Sequence, residues 1–303
     1  QGDFVGKNGL ENVLEPTLRG KKGYKEVEAD VSGRELKTLR KFPSENGNNL
    51  ILTVDVRIQE ELEKAMISTP ENVMNGSVVV MKVQTGEVLA IASKPSFDPN
   101  EFAAGITPEN WKKLINDEMH PLQNRSIHSQ YPPGSTYKIA VAYAALEEGM
   151  IDPETTINCP GHFKLGRGRY RCWKKNGHGD VNLHDALVQS CDVFFYTVGH
   201  RMGIDTLARY AKIFGFGFPT GLGLSREKSG LVPSTQWKLK NRKQPWLLGE
   251  TISASIGQGY NLVTPMPVSY THLRAHETLR YLGCRGRRGK KRGGGGGGGG
   301  GGG

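Results

Sequence analysis

What this chain has least of is hydrophobic length. No apolar run approaches the ~20 residues that a membrane-spanning helix requires, and the best, Ile139 to Leu146, falls far short. There is no initiating methionine; the chain opens at Gln1, so the natural N-terminus, with any anchor or signal peptide, is expected upstream. No phosphate-cradling glycine loop and no dinucleotide fingerprint is present, which leaves no sequence basis for nucleotide-driven or cofactor-borne chemistry. No segment recurs at a fixed period, so repeat architectures are excluded. Cysteine is sparse, with four residues in 303.

The formal net charge of +10 raises the question of a nucleic acid or an anionic surface. Its distribution answers that question. From Pro267 onward eight Lys or Arg residues stand against one acid, Glu277, and the rest of the chain is close to balance. The tail begins Val268-Ser269-Tyr270-Thr271-His272-Leu273-Arg274-Ala275-His276-Glu277-Thr278, passes through a basic run, and ends in eleven glycines, Gly293 to Gly303. A glycine homopolymer cannot build a core, and as a linker this one joins nothing. The 268–278 segment resembles the translation of a transposon-end adapter from a sequencing library, and a run of G bases encodes glycine. Residues 267–303 are therefore read as a disordered artefact rather than a natural basic tail, and no nucleic-acid partner is expected. The protein proper is expected to break off near Met266.

Residues 1–47 are polar and glycine-punctuated, with an alternating stretch at Tyr24 to Val31 that predicts an exposed strand. Ser44-Glu45-Asn46-Gly47-Asn48-Asn49 forms a turn-rich junction, and a second unit is expected from residue 48 to 266. In it, Leu50 to Val54 predicts a strand and Gln59 to Met66 a helix. Ser77 to Val83 and Glu87 to Ser93 predict a hairpin closed by Gln84-Thr85-Gly86. A long irregular stretch, Lys94 to Tyr131, carries one helix near Glu109 to Asn116. Then Tyr131-Pro132-Pro133-Gly134-Ser135 makes a rigid turn. The helix after it, ended by Gly149, shows an apolar stripe at Ile139, Ala142, Tyr143 and Leu146. Further helices are expected at Leu183–Ser190, Val193–Met202 and Asp205–Phe214. The fold class is α/β in the α+β sense: helices around an antiparallel sheet.

Ser135 stands at a helix start with Lys138 three positions on. Residues at i and i+3 are neighbours, about 5–6 Å apart at Cβ, so Lys138 could take the Ser135 proton, and the helix N-terminus favours the charge that develops on attack. Ser-x-x-Lys alone is a weak signal, and an ordinary N-cap serine beside a solvated lysine would look the same. Downstream, Ser190-Cys191-Asp192 lies at the boundary of two helical segments, where the plain alternative is a capping pair.

Together, Tyr131 to Lys138, Ser190-Cys191-Asp192, Gly249-Glu250-Thr251 and Ile256-Gly257-Gln258-Gly259-Tyr260 resemble the class B penicillin-binding proteins, most closely the penicillin-binding protein 2 branch that serves cell elongation. The resemblance runs from roughly Gly6 to Met266, including Leu18-Arg19-Gly20-Lys21 and Asp30-Val31-Ser32-Gly33-Arg34 in the accessory segment. It implies a penicillin-binding-protein/β-lactamase-like transpeptidase fold, incomplete here, with residues 1–47 as the remnant of an accessory pedestal domain. It implies Ser135 as acylated nucleophile, Lys138 as its base, Ser190 as proton relay to the leaving amine, and Asp192 as the residue that holds the second motif. The implied substrates are D-Ala-D-Ala stem peptides of peptidoglycan. Penicillin and other β-lactams would be inhibitors, a membrane glycosyltransferase and rod-complex proteins would be partners, and the periplasmic face of the inner membrane would be the location. A third motif, Lys-Thr/Ser-Gly on a sheet strand, is expected beyond Met266, so this chain is expected to lack it and to be inactive as it stands. Rival readings are a serine β-lactamase or D,D-carboxypeptidase, and a non-catalytic β-lactam sensor or scaffold.

Outside the tail the cysteines are Cys159, Cys172 and Cys191. A hairpin closed by a Cys159–Cys172 disulfide is one reading. The other adds His178, giving the Cys3His set of structural zinc, at positions where relatives of penicillin-binding protein 2 carry such a site. No cofactor is expected for catalysis itself. His128 and His184 are read as ordinary polar or capping residues.

Overall fold

The computed structural model describes residues 5–69, 72–73 and 75–269. Two short helices, α1 (Gly9–Val13) and α2 (Glu15–Leu18), precede an antiparallel ribbon of β1 (Tyr24–Ala29) and β2 (Glu35–Phe42). Every residue of both strands is exposed. The alternation in the sequence marked β1; β2, with its run of charges, is fixed by pairing to it rather than by any buried face.

Helix α3 (Val56–Ala65) follows, then the small pair β3 (Ile67–Thr69) and β4 (Asn72–Val73), and the hairpin β5 (Gly76–Met81) and β6 (Val88–Lys94). Lys82 N donates to Glu87 O and Gly86 N to Lys82 O, with Gly86 at φ +77, so the predicted glycine turn closes the hairpin. Helix α3 begins earlier than the periodicity suggested because Asp55 caps it, accepting from Arg57 N. Leu50 to Val54 is not a strand. It is tethered to β6 by Thr53 Oγ1 to Val88 O (2.7 Å) and Asp55 N to Leu89 O (2.9 Å), while Ile51 is 94 % exposed and no ladder forms.

The 94–131 stretch holds α4 (Pro99–Ala104), the predicted α5 (Pro108–Asn116) and α6 (Arg125–His128), each capped by a side chain, from Asp98, Thr107 and Asn124. A 3-10 turn, Gly134–Tyr137, leads into α7 (Lys138–Glu147). Two antiparallel pairs come next: β7 (Ile157–Cys159) with β10 (Gly179–Val181), and between them in sequence β8 (His162–Leu165) with β9 (Gly168–Arg171). Helices α8 (Leu183–Val188), α9 (Asp192–Met202), α10 (Ile204–Ile213), α11 (Thr235–Arg242) and α12 (Leu248–Ala254) complete the order, and residues 265–269 are again helical.

The main core lies where α7, α9, α10 and α12 meet. Helix α7 was expected to bury one stripe, yet Ala140 to Ala145 are all buried, with both α9 and α10 packed on it. Its alanines let the neighbouring backbones come close, and the aromatic side chains Tyr143, Tyr210 and Phe214 fill one end edge to face. The antiparallel β-structure among the described residues consists of five separate two-stranded pairs rather than one broad sheet. No helix among them is long and apolar enough to cross a membrane. The tail expected to be disordered begins at residue 267, yet residues 267–269 belong to the helical stretch and Val268 packs against the core; the rest of the tail, from residue 270, lies outside the described residues.

Candidate active site

Ser135 sits in the 3-10 turn, one residue after Gly134, whose φ of +58 few side chains tolerate. Gly134 N donates to Gly257 O at 2.9 Å, and Gly257 itself has φ +70. A Cβ on Gly257 would lie 2.3 Å from Gly134 O. Only glycine on the far segment permits this approach, and it fixes the turn that presents Ser135. Tyr131 and Val263 exchange backbone hydrogen bonds of 2.8 and 2.9 Å just upstream.

Lys138 opens α7 and is 1 % exposed. Its Nζ donates to Asp192 Oδ1 (2.6 Å), Ser190 O (2.9 Å) and Ser190 Oγ (3.0 Å). Ser190 Oγ donates in turn to Ser135 Oγ at 3.0 Å. The i, i+3 spacing was expected to let Lys138 reach Ser135 directly. Instead the amine is drawn to the Asp192 carboxylate, and the link to Ser135 passes through the Ser190 hydroxyl.

Ser190 can bridge because of its backbone. Ser190 N donates to Leu187 O and Cys191 N to Ala186 O, the paired bonds that end a helix through a left-handed residue, here at φ +52. Glycine usually takes that place, since a side chain there costs about 1 kcal/mol or more. Keeping a serine turns both its carbonyl and its hydroxyl toward Lys138. The capping alternative for the pair does not hold for the side chains: Ser190 closes α8 with its backbone, and Asp192, first residue of α9, sends its second oxygen to Trp173 N at 3.1 Å.

Cys159 ends β7, Cys172 follows β9, His178 precedes β10 and Cys191 precedes α9. Their ligand atoms all lie within 4.8 Å of one another. The cysteines are unlinked, so the Cys159–Cys172 disulfide is not formed. His178 Nδ1 is 3.5 Å from Cys159 Sγ and 3.6 Å from Cys172 Sγ. A tetrahedron with Zn–S about 2.3 Å and Zn–N about 2.0 Å has N···S edges of about 3.5 Å, so this donor set fits zinc. Burial pushes the Cys191 thiol up to about 12 and holds the His178 imidazole below its ordinary value. A thiol so placed is costly to ionise without a cation. His184 lies exposed beside Asp185, and His128 ends α6.

Ser135, Ser190 and Asp192 open on a cleft of 640 Å³ that is also lined by Arg171, Trp173, Tyr196, Ile256 and Gln258. Arg171, Trp173 and Tyr196 were not singled out as site residues from the sequence, and Ile256 and Gln258 were quoted only within the glycine-flanked motif, without a role. A Lys-Ser-Gly tripeptide does occur, at Lys228-Ser229-Gly230, and it too was overlooked. It lies in irregular chain, with Lys228 N donating to Ile127 O, and is not among the residues that line the cleft.

Comparisons agree with this geometry. The penicillin binding protein transpeptidase domain family matches residues 76–272, and the penicillin-binding protein dimerisation domain family matches residues 1–52. The peptidoglycan D,D-transpeptidase MrdA of Haemophilus influenzae is 42 % identical over 267 residues, which is 88 % of this chain and 40 % of that protein. The chain thus spans about two fifths of the length of such relatives. Among solved structures, penicillin-binding protein 2 of Helicobacter pylori in complex with MreC matches with TM-score 0.80 and 39 % identity over 87 % of this chain and 49 % of its own. A chain from a peptidoglycan synthase complex that coordinates polymerization and crosslinking matches with TM-score 0.77 and 40 % identity, covering 89 % of this chain and 49 % of that one. With motif order, fold and geometry in agreement, the chain belongs to the penicillin-binding protein transpeptidase family.

Proposed function

We propose that the full-length protein is a peptidoglycan D,D-transpeptidase. The observation that carries this is the unbroken path Ser135 Oγ, Ser190 Oγ, Lys138 Nζ, Asp192 Oδ1, with links of 3.0, 3.0 and 2.6 Å. Lys138 is the base: once Nζ has shed a proton to solvent, the hydroxyls of Ser135 and Ser190 turn to donate toward it, and the Ser135 proton passes by way of Ser190 as Ser135 Oγ attacks the carbonyl of the penultimate D-Ala. The Ser135 N–H, in the first turn of the helix, is read as one donor to the developing oxyanion. Collapse of the tetrahedral intermediate breaks the peptide bond, and the proton returns through Ser190 to the departing D-Ala amine. The amine of a second stem peptide then attacks the ester, losing its proton to the same relay and freeing Ser135. β-Lactams acylate Ser135 by the same first step.

The Cys159, Cys172, His178 and Cys191 cluster is read as holding one structural zinc that ties β7, β9, β10 and α9 together. Cys172 precedes Trp173 and Cys191 precedes Asp192, so the cluster positions both groups that meet at the Asp192 carboxylate. Domain boundaries are read as an accessory unit at 1–47 and the transpeptidase unit from 48. By analogy with the MreC complex and the synthase complex of its relatives, partners are rod-complex proteins and a glycosyltransferase at the periplasmic face of the inner membrane.

The test is labelling of the full-length protein with a radioactive penicillin. A long-lived adduct on Ser135, absent in Ser135→Ala, is expected. Rapid turnover would favour the β-lactamase or carboxypeptidase reading, and no adduct would favour the scaffold.

A further inference from the structure

Resting on that reading, we propose that Gln258 is a substrate-binding residue that recognises an amide of the acyl donor, the amide on the N-terminal side of the scissile bond. Most polar side chains of the cleft are already engaged. Ser190 and Asp192 serve Lys138, the Trp173 indole N–H donates to Gln189 O, and Tyr196 OH donates to Arg171 O. The Gln258 side chain is exposed and has no hydrogen-bond partner among the described residues. Its backbone is rigidly held. Gln258 N donates to Ser253 O at 3.0 Å, Gln258 O accepts from Asn261 Nδ2 at 3.2 Å, and glycines at φ +70 and +71 flank it.

The preceding residue accepts the hydrogen bond from Gly134 N, so the Gln258 amide is referenced to the same turn that presents Ser135. A carboxamide offers one acceptor and two donors, the complement of a peptide amide. Arg171, also in the cleft wall, supplies charge rather than this pattern, and among the described residues no hydrogen bond ties it to the Ser135 turn.

The experiment compares acylation rates of the full-length protein with two probes. One is benzylpenicillin, which carries an acylamide beside the reactive ring. The other is the deacylated penicillin nucleus, which has a free amine there. Wild type should favour benzylpenicillin. Gln258→Ala should lower that preference about 3- to 10-fold, as loss of one hydrogen bond implies, and leave the rate with the nucleus unchanged. Gln258→Glu, which keeps shape but loses the donors, should do likewise. An unchanged preference overturns the proposal, and so does an equal fall with both probes, which would mark a structural role. If wild type is acylated by neither probe, the transpeptidase reading itself fails and takes this inference with it.

Discussion

At the scale of single residues, Ser190 separates stability from chemistry. Its left-handed backbone opposes folding, while its hydroxyl joins Lys138 to Ser135. Ser190→Gly should therefore melt no lower than wild type, and about 1 kcal/mol of relieved strain would raise Tm by a few degrees. Penicillin acylation should fall on the order of 100-fold, the lower range for loss of a proton-transfer group. Full acylation by this variant would remove Ser190 from the relay. Ser135 and Lys138 were legible in the sequence because their spacing is local and their setting, Pro132-Pro133-Gly134, is rigid. The indirect link through Ser190 was not legible. It depends on a helix end closing in a conformation that serine rarely adopts, and on a carboxylate that arrives from a distant segment.

At the scale of elements, Gln59 ties α3 to β6. Gln59 Nε2 donates to Ile91 O and Gln59 Oε1 accepts from Ile91 N, both at 2.9 Å, completing backbone groups that no strand pairs. Gln59→Ala should cost about 2 kcal/mol, measured by denaturant unfolding, because both Ile91 groups lose their partner. Glu63, one turn on, receives a hydrogen bond from Gln59 and an ion pair from Lys94, which hold its carboxyl below the usual 4.5. Its folded pKa is thus depressed. The stabilisation is present above pH 4.5 and lost as pH falls through the folded value. Glu63→Gln should flatten that acid limb of the stability curve; an unaltered limb would show that other carboxylates carry it. The hairpin and the later helices could be read from period and turn residues. Strand 50–54 was misread because its β-branched, apolar composition looks like a strand whether or not a partner is present.

At the scale of the whole molecule, the core around α7 and the Cys/His cluster share α9, so metal and packing should report together. Purified protein is expected to contain one zinc per chain, and chelation should lower Tm by roughly 10 °C. A zinc-free protein with an unchanged Tm would exclude the structural role. The bond from Gly134 N to Gly257 O carries one more consequence. The segment that shapes the nucleophile's turn is synthesised long after the nucleophile itself, as are Ser190 and Asp192. On the proposed mechanism, a nascent chain that has not yet made those segments would hold Ser135 without its relay. On the proposed function, covalent labelling by a β-lactam would serve as a clock for completed folding, because capture of the drug would have to await closure of these distant contacts.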